Sequence, residues 1–90
     1  MTTINQTEIK FNNLIKKAEP KIEELEIAQN NKNLSPKERN DAYCRWSSIY
    51  RLSVEIGNSI FAYRNYEDYN TNETLDSLNK MINRFAKLIA

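Results

Sequence analysis

The sequence of 90 residues contains no histidine, one cysteine, one glycine and two prolines, and each shortage excludes a class of protein. Without histidine there is no histidine base, no Ser-His-Asp triad and no histidine-containing zinc site. A single cysteine excludes an internal disulfide and a CxxC pair. One glycine cannot form a phosphate-binding glycine loop, and all-β proteins need more glycine and proline for their turns. We therefore expect a helical protein with no metal and no cofactor.

The sequence also lacks long apolar runs and a large net charge. No segment approaches the roughly 20 apolar residues of a membrane-spanning helix, and residues 1–6 are polar, without a signal-peptide core. Thirteen basic and twelve acidic residues leave a net charge of +1. This balance holds along the whole chain, whereas nucleic-acid-binding proteins concentrate positive charge. We expect one domain over residues 1–90, cytoplasmic, without membrane insertion and not directed at nucleic acid.

Two groups of helix-stop and helix-start signals divide the chain into three segments. The first group, residues 30–38, is rich in asparagine and ends in Ser35, Pro36 and Glu38, which have the spacing of a capping box with proline at the first helical position. The second group, residues 70–73, offers Asn70 or Asn72 as the N-cap of a last helix. The sequence therefore predicts three helical segments.

The first and third segments both have the apolar spacing of amphipathic helices. In the third, Leu75, Leu78, Ile82 and Phe85 recur at steps of three and four residues. In the first segment the same pattern continues past Pro20, although proline removes a helical hydrogen bond. We expect one helix there, kinked near residue 19, rather than two separate helices.

The middle segment, residues 36–69, has an apolar arc of about 200°, twice what a helix needs to pack on one partner. It predicts a central helix contacted from two sides and about 50 Å long if unbroken. Since the third segment is barely half as long, the uncovered part would meet another chain, or the helix would break near Gly57 and give four helices. We favour a continuous helix in an all-α, small antiparallel three-helix bundle with a kinked first helix and a long central helix. The arc consists of Ala42, Tyr43, Trp46, Ile49, Tyr50, Leu52, Ser53, Val54, Ile56, Gly57, Ile60 and Phe61.

Two parts of the middle segment are candidate partner-binding sites. At its end, Arg64, Tyr66 and Tyr69 combine residue types that binding hot spots favour, and core packing does not require the two tyrosines. They could instead cover the end of the bundle, whereas Tyr63 is expected in the core. On the polar face of the segment, Arg51 and Glu55 lie among small residues that would let another helix approach, or that are simply solvated. That face consists of Ser47, Ser48, Arg51, Glu55, Asn58, Ser59 and Ala62.

Other chemically interesting residues have simpler interpretations. Cys44 adjoins an arginine, a neighbour that can make a thiol more reactive, but a lone helical cysteine is usually a packing residue. The carboxylates of residues 23–26 indicate a solvated helix side, and no acid pair lies against an apolar wall. Lys80, Arg84 and Lys87 share one face and could bind nucleic acid, although three cations near a helix C-terminus also compensate its dipole. The sequence predicts no enzyme.

Two stretches carry a resemblance to a known family. The run Leu34-Ser35-Pro36-Lys37-Glu38-Arg39-Asn40 and the later Tyr50-Arg51-Leu52 are similar in character to stretches of cytosolic immunity proteins. Those proteins protect Gram-positive bacteria against their own small bacteriocins. The resemblance covers about half of the chain, and it implies an antiparallel helical bundle with an immunity function.

By elimination, the expected function is stoichiometric binding rather than turnover. Asn, Ile, Lys and Tyr make up 36 of the 90 residues, and all have AT-rich codons, which is typical of some bacterial and phage genomes. We expect a non-catalytic module of a phage or mobile element that binds a host protein and inhibits or redirects it. The alternatives are the immunity protein, a homo-oligomer such as a homodimer built on the central helix, and a nucleic-acid-binding regulator.

Overall fold

The computed structural model describes residues 3–90 and consists of three α-helices. They are α1 (Ile4–Gln29), α2 (Pro36–Asn65) and α3 (Asn72–Ile89), and a single 3-10 turn at Glu67–Tyr69 lies between α2 and α3. The described residues measure 50 × 21 × 17 Å, so the molecule is an elongated bundle about as long as α2 with its flanking turns. The predicted all-α three-helix fold is confirmed.

Each helix begins at a hydroxyl residue whose side chain accepts a hydrogen bond from the first turn. Ser35 Oγ accepts from the Glu38 amide at 3.1 Å, and Glu38 Oε1 accepts in return from the Ser35 amide at 3.3 Å. Thr3 forms the same reciprocal box at the start of α1. For α3 the cap is Thr71, which accepts from the amide of Thr74 at 3.1 Å. The prediction of an asparagine cap at this end was therefore wrong by one residue.

Helix α1 continues through Pro20 from Ile4 to Gln29. Pro20 and Lys16 both lie on the exposed side of the helix. The Lys16 carbonyl, which loses its helical donor to the proline, therefore faces water, and the helix can continue. The expectation of one helix rather than two is confirmed, and a bend of its axis stays a prediction.

Helix α2 is also continuous and passes through Gly57 without a break, as favoured from the sequence. The sequence prediction placed the end of this helix at residue 69, which is four residues too late. The helix stops at Asn65, and Tyr66 adopts an extended conformation with φ −118° and ψ 120°. Continuing the helix would put Glu67 and Asp68 at the negative end of its dipole, whereas in the structure they begin the 3-10 turn.

The core lies along the seam where all three helices meet. Phe11 of α1 and Phe85 of α3 contact edge to face, with ring centroids 5.8 Å apart. Thr7 is fully buried as well, and its hydroxyl donates to Asn79 Oδ1 of α3 at 3.1 Å, so its burial leaves no unsatisfied donor. The buried apolar residues of the cluster are Phe11, Ala18, Ile49, Leu52, Ile56, Ile60, Leu78, Ile82 and Phe85.

The wide apolar arc of α2 is only partly covered. Both neighbouring helices pack against α2, as the arc predicts. Four of its large residues nevertheless stay on the surface, because the neighbours of α2 cover only the half of the arc around Ile49 and Ile56. The exposed fractions are 48% for Tyr43, 52% for Tyr50, 44% for Val54 and 57% for Phe61.

In the part of the chain that the structure describes, no helix is both long and apolar enough to cross a membrane.

Candidate protein-binding groove

A groove of about 390 Å³ lies where α2 faces the 3-10 turn and the first turn of α3. Helical spacing along α2 aligns most of its wall, while the chain reversal after α2 brings Tyr69 and Thr74 to the other side. We call this feature the binding groove. It is lined by Arg51, Val54, Glu55, Asn58, Ser59, Ala62, Tyr69 and Thr74.

Three of the five predicted partner-binding residues, Arg51, Glu55 and Tyr69, meet in this groove. Arg51 and Glu55 are exposed, and within residues 3–90 neither of them forms an ion pair. An arginine and a carboxylate one turn apart therefore present a donor and an acceptor to whatever enters the groove. Ser59 and Ala62 have small side chains, so the backbone of a partner can approach this part of the groove closely.

The Tyr69 ring of the groove is the first of three aromatic rings in contact with one another. Tyr69 contacts Tyr66 edge to face, with ring centroids 6.4 Å apart, and Tyr66 contacts Phe61 in the same manner at 6.1 Å. Tyr66 and Tyr69 are each 54% exposed. The rings hold one another in place while about half of their surface stays exposed to solvent. Rings held in this way lose little conformational entropy when a partner covers them. Tyr63, in contrast, packs against the core as expected.

Arg64 points away from the groove towards α1. Its Nε donates to Glu8 Oε2 at 3.1 Å, and its Nη2 donates to Asn5 Oδ1 at 2.8 Å. Together with Tyr66 it lines a second concavity of about 350 Å³ at the end of the bundle. The structure therefore divides the five predicted partner-binding residues into two groups, one at the groove and one at the second concavity. The ring contact between Tyr66 and Tyr69 links the two groups.

The predicted small face of α2 matches the groove in part. Asn58, Ser59 and Ala62 line it with Arg51 and Glu55, but Ser47 and Ser48 do not. Sequence reasoning missed Val54 and Thr74. Val54 was visible as the outer edge of the apolar arc, whereas Thr74 reaches the groove only because the chain reverses between α2 and α3.

The remaining candidates have separate positions. Cys44 is exposed on α2. Lys80, Arg84 and Lys87 are exposed on the outer side of α3. Among the described residues there is no group of three or more cysteine, aspartate and glutamate side chains that could hold a metal ion.

No protein-family model matches this chain, and comparisons with curated proteins and with solved structures find no significant match.

Proposed function

We propose that this chain is a non-catalytic module that binds another protein stoichiometrically through the binding groove. The observation that carries the proposal is the convergence of Arg51, Glu55 and Tyr69 on one open groove beside the exposed ring of Tyr66. Tyrosine and arginine are enriched at interface hot spots, where a rigid ring supplies contact area and a charged group supplies orientation.

The groove favours an apolar side chain of a partner segment, flanked by polar groups. Val54, Ala62 and the Tyr69 ring provide apolar walls, while Arg51 and Glu55 provide one donor and one acceptor at the edge. A partner carrying an apolar anchor between a carboxylate and a basic residue would satisfy all of these groups. Such pairing would keep Arg51 and Glu55 hydrogen-bonded when the partner covers them, and so avoid the cost of burying an unpaired charged group.

The groove is tested by comparing variants in affinity purification from the native host, with mass spectrometry of the bound proteins. Tyr69→Ala removes a ring that is half exposed, and Ile9→Ala removes a side chain on α1 that is 60% exposed but outside the groove. We expect one protein to be retained by the unchanged chain and by Ile9→Ala, and to be lost with Tyr69→Ala.

The captured protein is then purified and titrated against the same variants by calorimetry. We expect one-to-one binding that Tyr69→Ala weakens by about 2 kcal/mol or more, as at a hot spot. Equal affinity of Tyr69→Ala and Ile9→Ala for this protein, with circular dichroism showing both variants folded, would contradict the groove as the binding site.

The narrower role of a phage or mobile-element inhibitor or adaptor, acting on a host protein in the cytoplasm, is part of this proposal. It rests on the AT-rich composition and on the lack of predicted catalytic groups, not on a particular contact. The immunity-protein alternative stays a prediction as well. It would gain support if expression of this chain protected sensitive bacteria against a bacteriocin.

A further inference from the structure

A second surface of α2, separate from most of the binding groove, combines exposed aromatic and apolar side chains with the half-buried residues Trp46 and Gly57. Its residues follow one another at steps of three or four, so they form one straight line on the helix. From first to last they span about 27 Å at ~1.5 Å per residue. We call this surface the outer stripe. It consists of Tyr43, Trp46, Tyr50, Val54, Gly57 and Phe61.

The aromatic part of the outer stripe is held in a fixed arrangement. The Trp46 and Tyr50 rings stack with centroids 5.3 Å apart and an interplanar angle of 9°, and Tyr43 stacks on Trp46 at 6.1 Å. Trp46 Nε1 also donates to Glu26 Oε1 of α1 at 3.2 Å. These contacts orient the rings in the single chain, so little rotamer entropy would be lost when a partner covers them.

The order of residues in the outer stripe is self-complementary. When two copies of α2 lie antiparallel with a two-fold axis at residue 52, residue i meets residue 104 − i of the other copy. Tyr43 then meets Phe61, and Tyr50 meets Val54. Trp46 faces residue 58 of the other copy, which is the neighbour of Gly57. The largest side chain of one stripe therefore lies beside the smallest residue of the other. We propose that the outer stripe packs against the outer stripe of a second copy of this chain in this antiparallel arrangement.

Gly57 gives independent support. Its φ is not positive, and a Cβ placed on it would meet nothing within 4 Å, so neither the backbone nor the packing of the single chain requires glycine there. Glycine inside a helix is nevertheless unfavourable. In the proposed dimer its missing side chain leaves room for the Trp46 ring of the second copy.

Area also fits a second copy. The side chains of Tyr43, Tyr50 and Phe61 are each about half exposed. At about 200 Å² per aromatic side chain, these three offer about 300 Å² per copy, to which Val54 and the half-buried Trp46 add. Two stripes and their polar flanks approach the ~1,200 Å² at which specific interfaces begin.

The test is the mass of the purified chain in solution, measured by analytical ultracentrifugation from about 1 μM to about 1 mM. We expect the mass to rise from that of one chain to that of two. Trp46 is the only tryptophan, so its emission reports this face directly and should shift to shorter wavelength over the same range. A single-chain mass at the highest concentration would overturn the proposal, and so would larger assemblies.

Substitutions test the face and the register. Gly57→Gln should keep the helix but raise the dimer dissociation constant about tenfold or more, because its side chain occupies the space of Trp46. The double variant Tyr43→Lys with Phe61→Glu should dimerise more tightly than Tyr43→Lys with Phe61→Lys, since antiparallel pairing places residue 43 opposite residue 61. Equal dissociation constants for the two double variants, with circular dichroism showing both folded, would overturn the antiparallel register.

The dimer and the binding groove are separable, because they share only Val54. Tyr69→Ala and Glu55→Arg alter the groove and should leave the dimer dissociation constant unchanged. Gly57→Gln alters the outer stripe and leaves the lining of the groove intact. Loss of the dimer with Tyr69→Ala would mean that the groove, rather than the outer stripe, joins the two copies, and the proposal would fall.

Discussion

At the scale of single residues, Gly57 is a glycine that the fold of the single chain does not require and that is unfavourable for helix stability. It lies inside α2, has no positive φ, and has open space where a Cβ would stand. Because glycine loses more backbone entropy than alanine on entering a helix, the folded chain forgoes stability at this position.

We predict that Gly57→Ala raises the free energy of unfolding by about 0.5–1 kcal/mol. The measurement is urea unfolding followed by circular dichroism, at a concentration low enough to keep the chain monomeric. Ala62→Gly provides the matched control, since it makes the reverse change on the same helix and should lower the free energy of unfolding. An unchanged or lower stability of Gly57→Ala would show that the packing around residue 57 is tighter than the structure indicates.

The position of the Arg64 side chain, in contrast, is set by residues that are far from it in the sequence. Its residue type and its position at the end of α2 suggested partner binding, but its guanidinium bonds to Glu8 and Asn5 of α1. The side chains of Arg64 and Glu8 remain 39% and 37% exposed, so this pair adds little stability. Its main effect is to orient the guanidinium away from the binding groove.

At the scale of elements, the helix ends depend on local side-chain caps. Ser35 and Glu38 bond reciprocally across the first turn of α2, and Pro36 occupies the position where its missing N–H is harmless. These residues separate α1 from α2 and fix where α2 begins, and therefore which of its side chains reach the core.

We predict that Ser35→Ala lowers the free energy of unfolding by about 1 kcal/mol, because the Glu38 amide loses its acceptor. Ser48→Ala is the control. Ser48 is exposed within the same helix and its hydroxyl bonds only to the Cys44 carbonyl at 3.0 Å, so its removal should change stability by less than about 0.5 kcal/mol. Thermal unfolding of both variants makes the comparison, and equal effects would argue against a stabilising cap at Ser35.

At the scale of the whole molecule, packing redistributes charge that is even along the sequence. Helices α1 and α3 run parallel and side by side, and Lys10 Nζ donates to Asn83 Oδ1 at 3.2 Å. Lys21 Nζ donates to the Ala90 carbonyl at 3.1 Å. Lysines of α1 therefore lie next to the face of α3 that carries Lys80, Arg84 and Lys87, a proximity that no single segment displays.

This arrangement gives the nucleic-acid alternative a concrete test. Because the net charge of the chain is only +1, we predict at most weak binding to duplex DNA. This binding should appear in gel shifts at low salt and disappear at about 0.15 M salt. Lys80→Glu should abolish any such shift, while Lys32→Glu, in the loop between α1 and α2, should reduce it less. A shift that persists at about 0.15 M salt and depends on DNA sequence would favour a nucleic-acid regulator over a protein-binding module.

The fold was largely predictable because its determinants are local. The caps at Ser35 and the three apolar stripes depend on residues three or four positions apart, and that spacing is visible in the sequence. The lining of the groove was predictable only in part. Arg51 and Glu55 were grouped from the sequence because they share a face of one helix, whereas Thr74 was missed because it belongs to another element. That these residues bind a partner stays a prediction.

The amino-acid sequence alone determined the number of helices, their approximate limits and the side that each turns to the core, since helix periodicity and capping act within a few residues. Only the tertiary structure decided how much of the apolar arc of α2 is covered, that Arg64 pairs with Glu8, and that Tyr69 and Thr74 meet α2 to form a groove. These features depend on the relative positions of neighbouring helices, which are set by contacts between residues far apart in the chain.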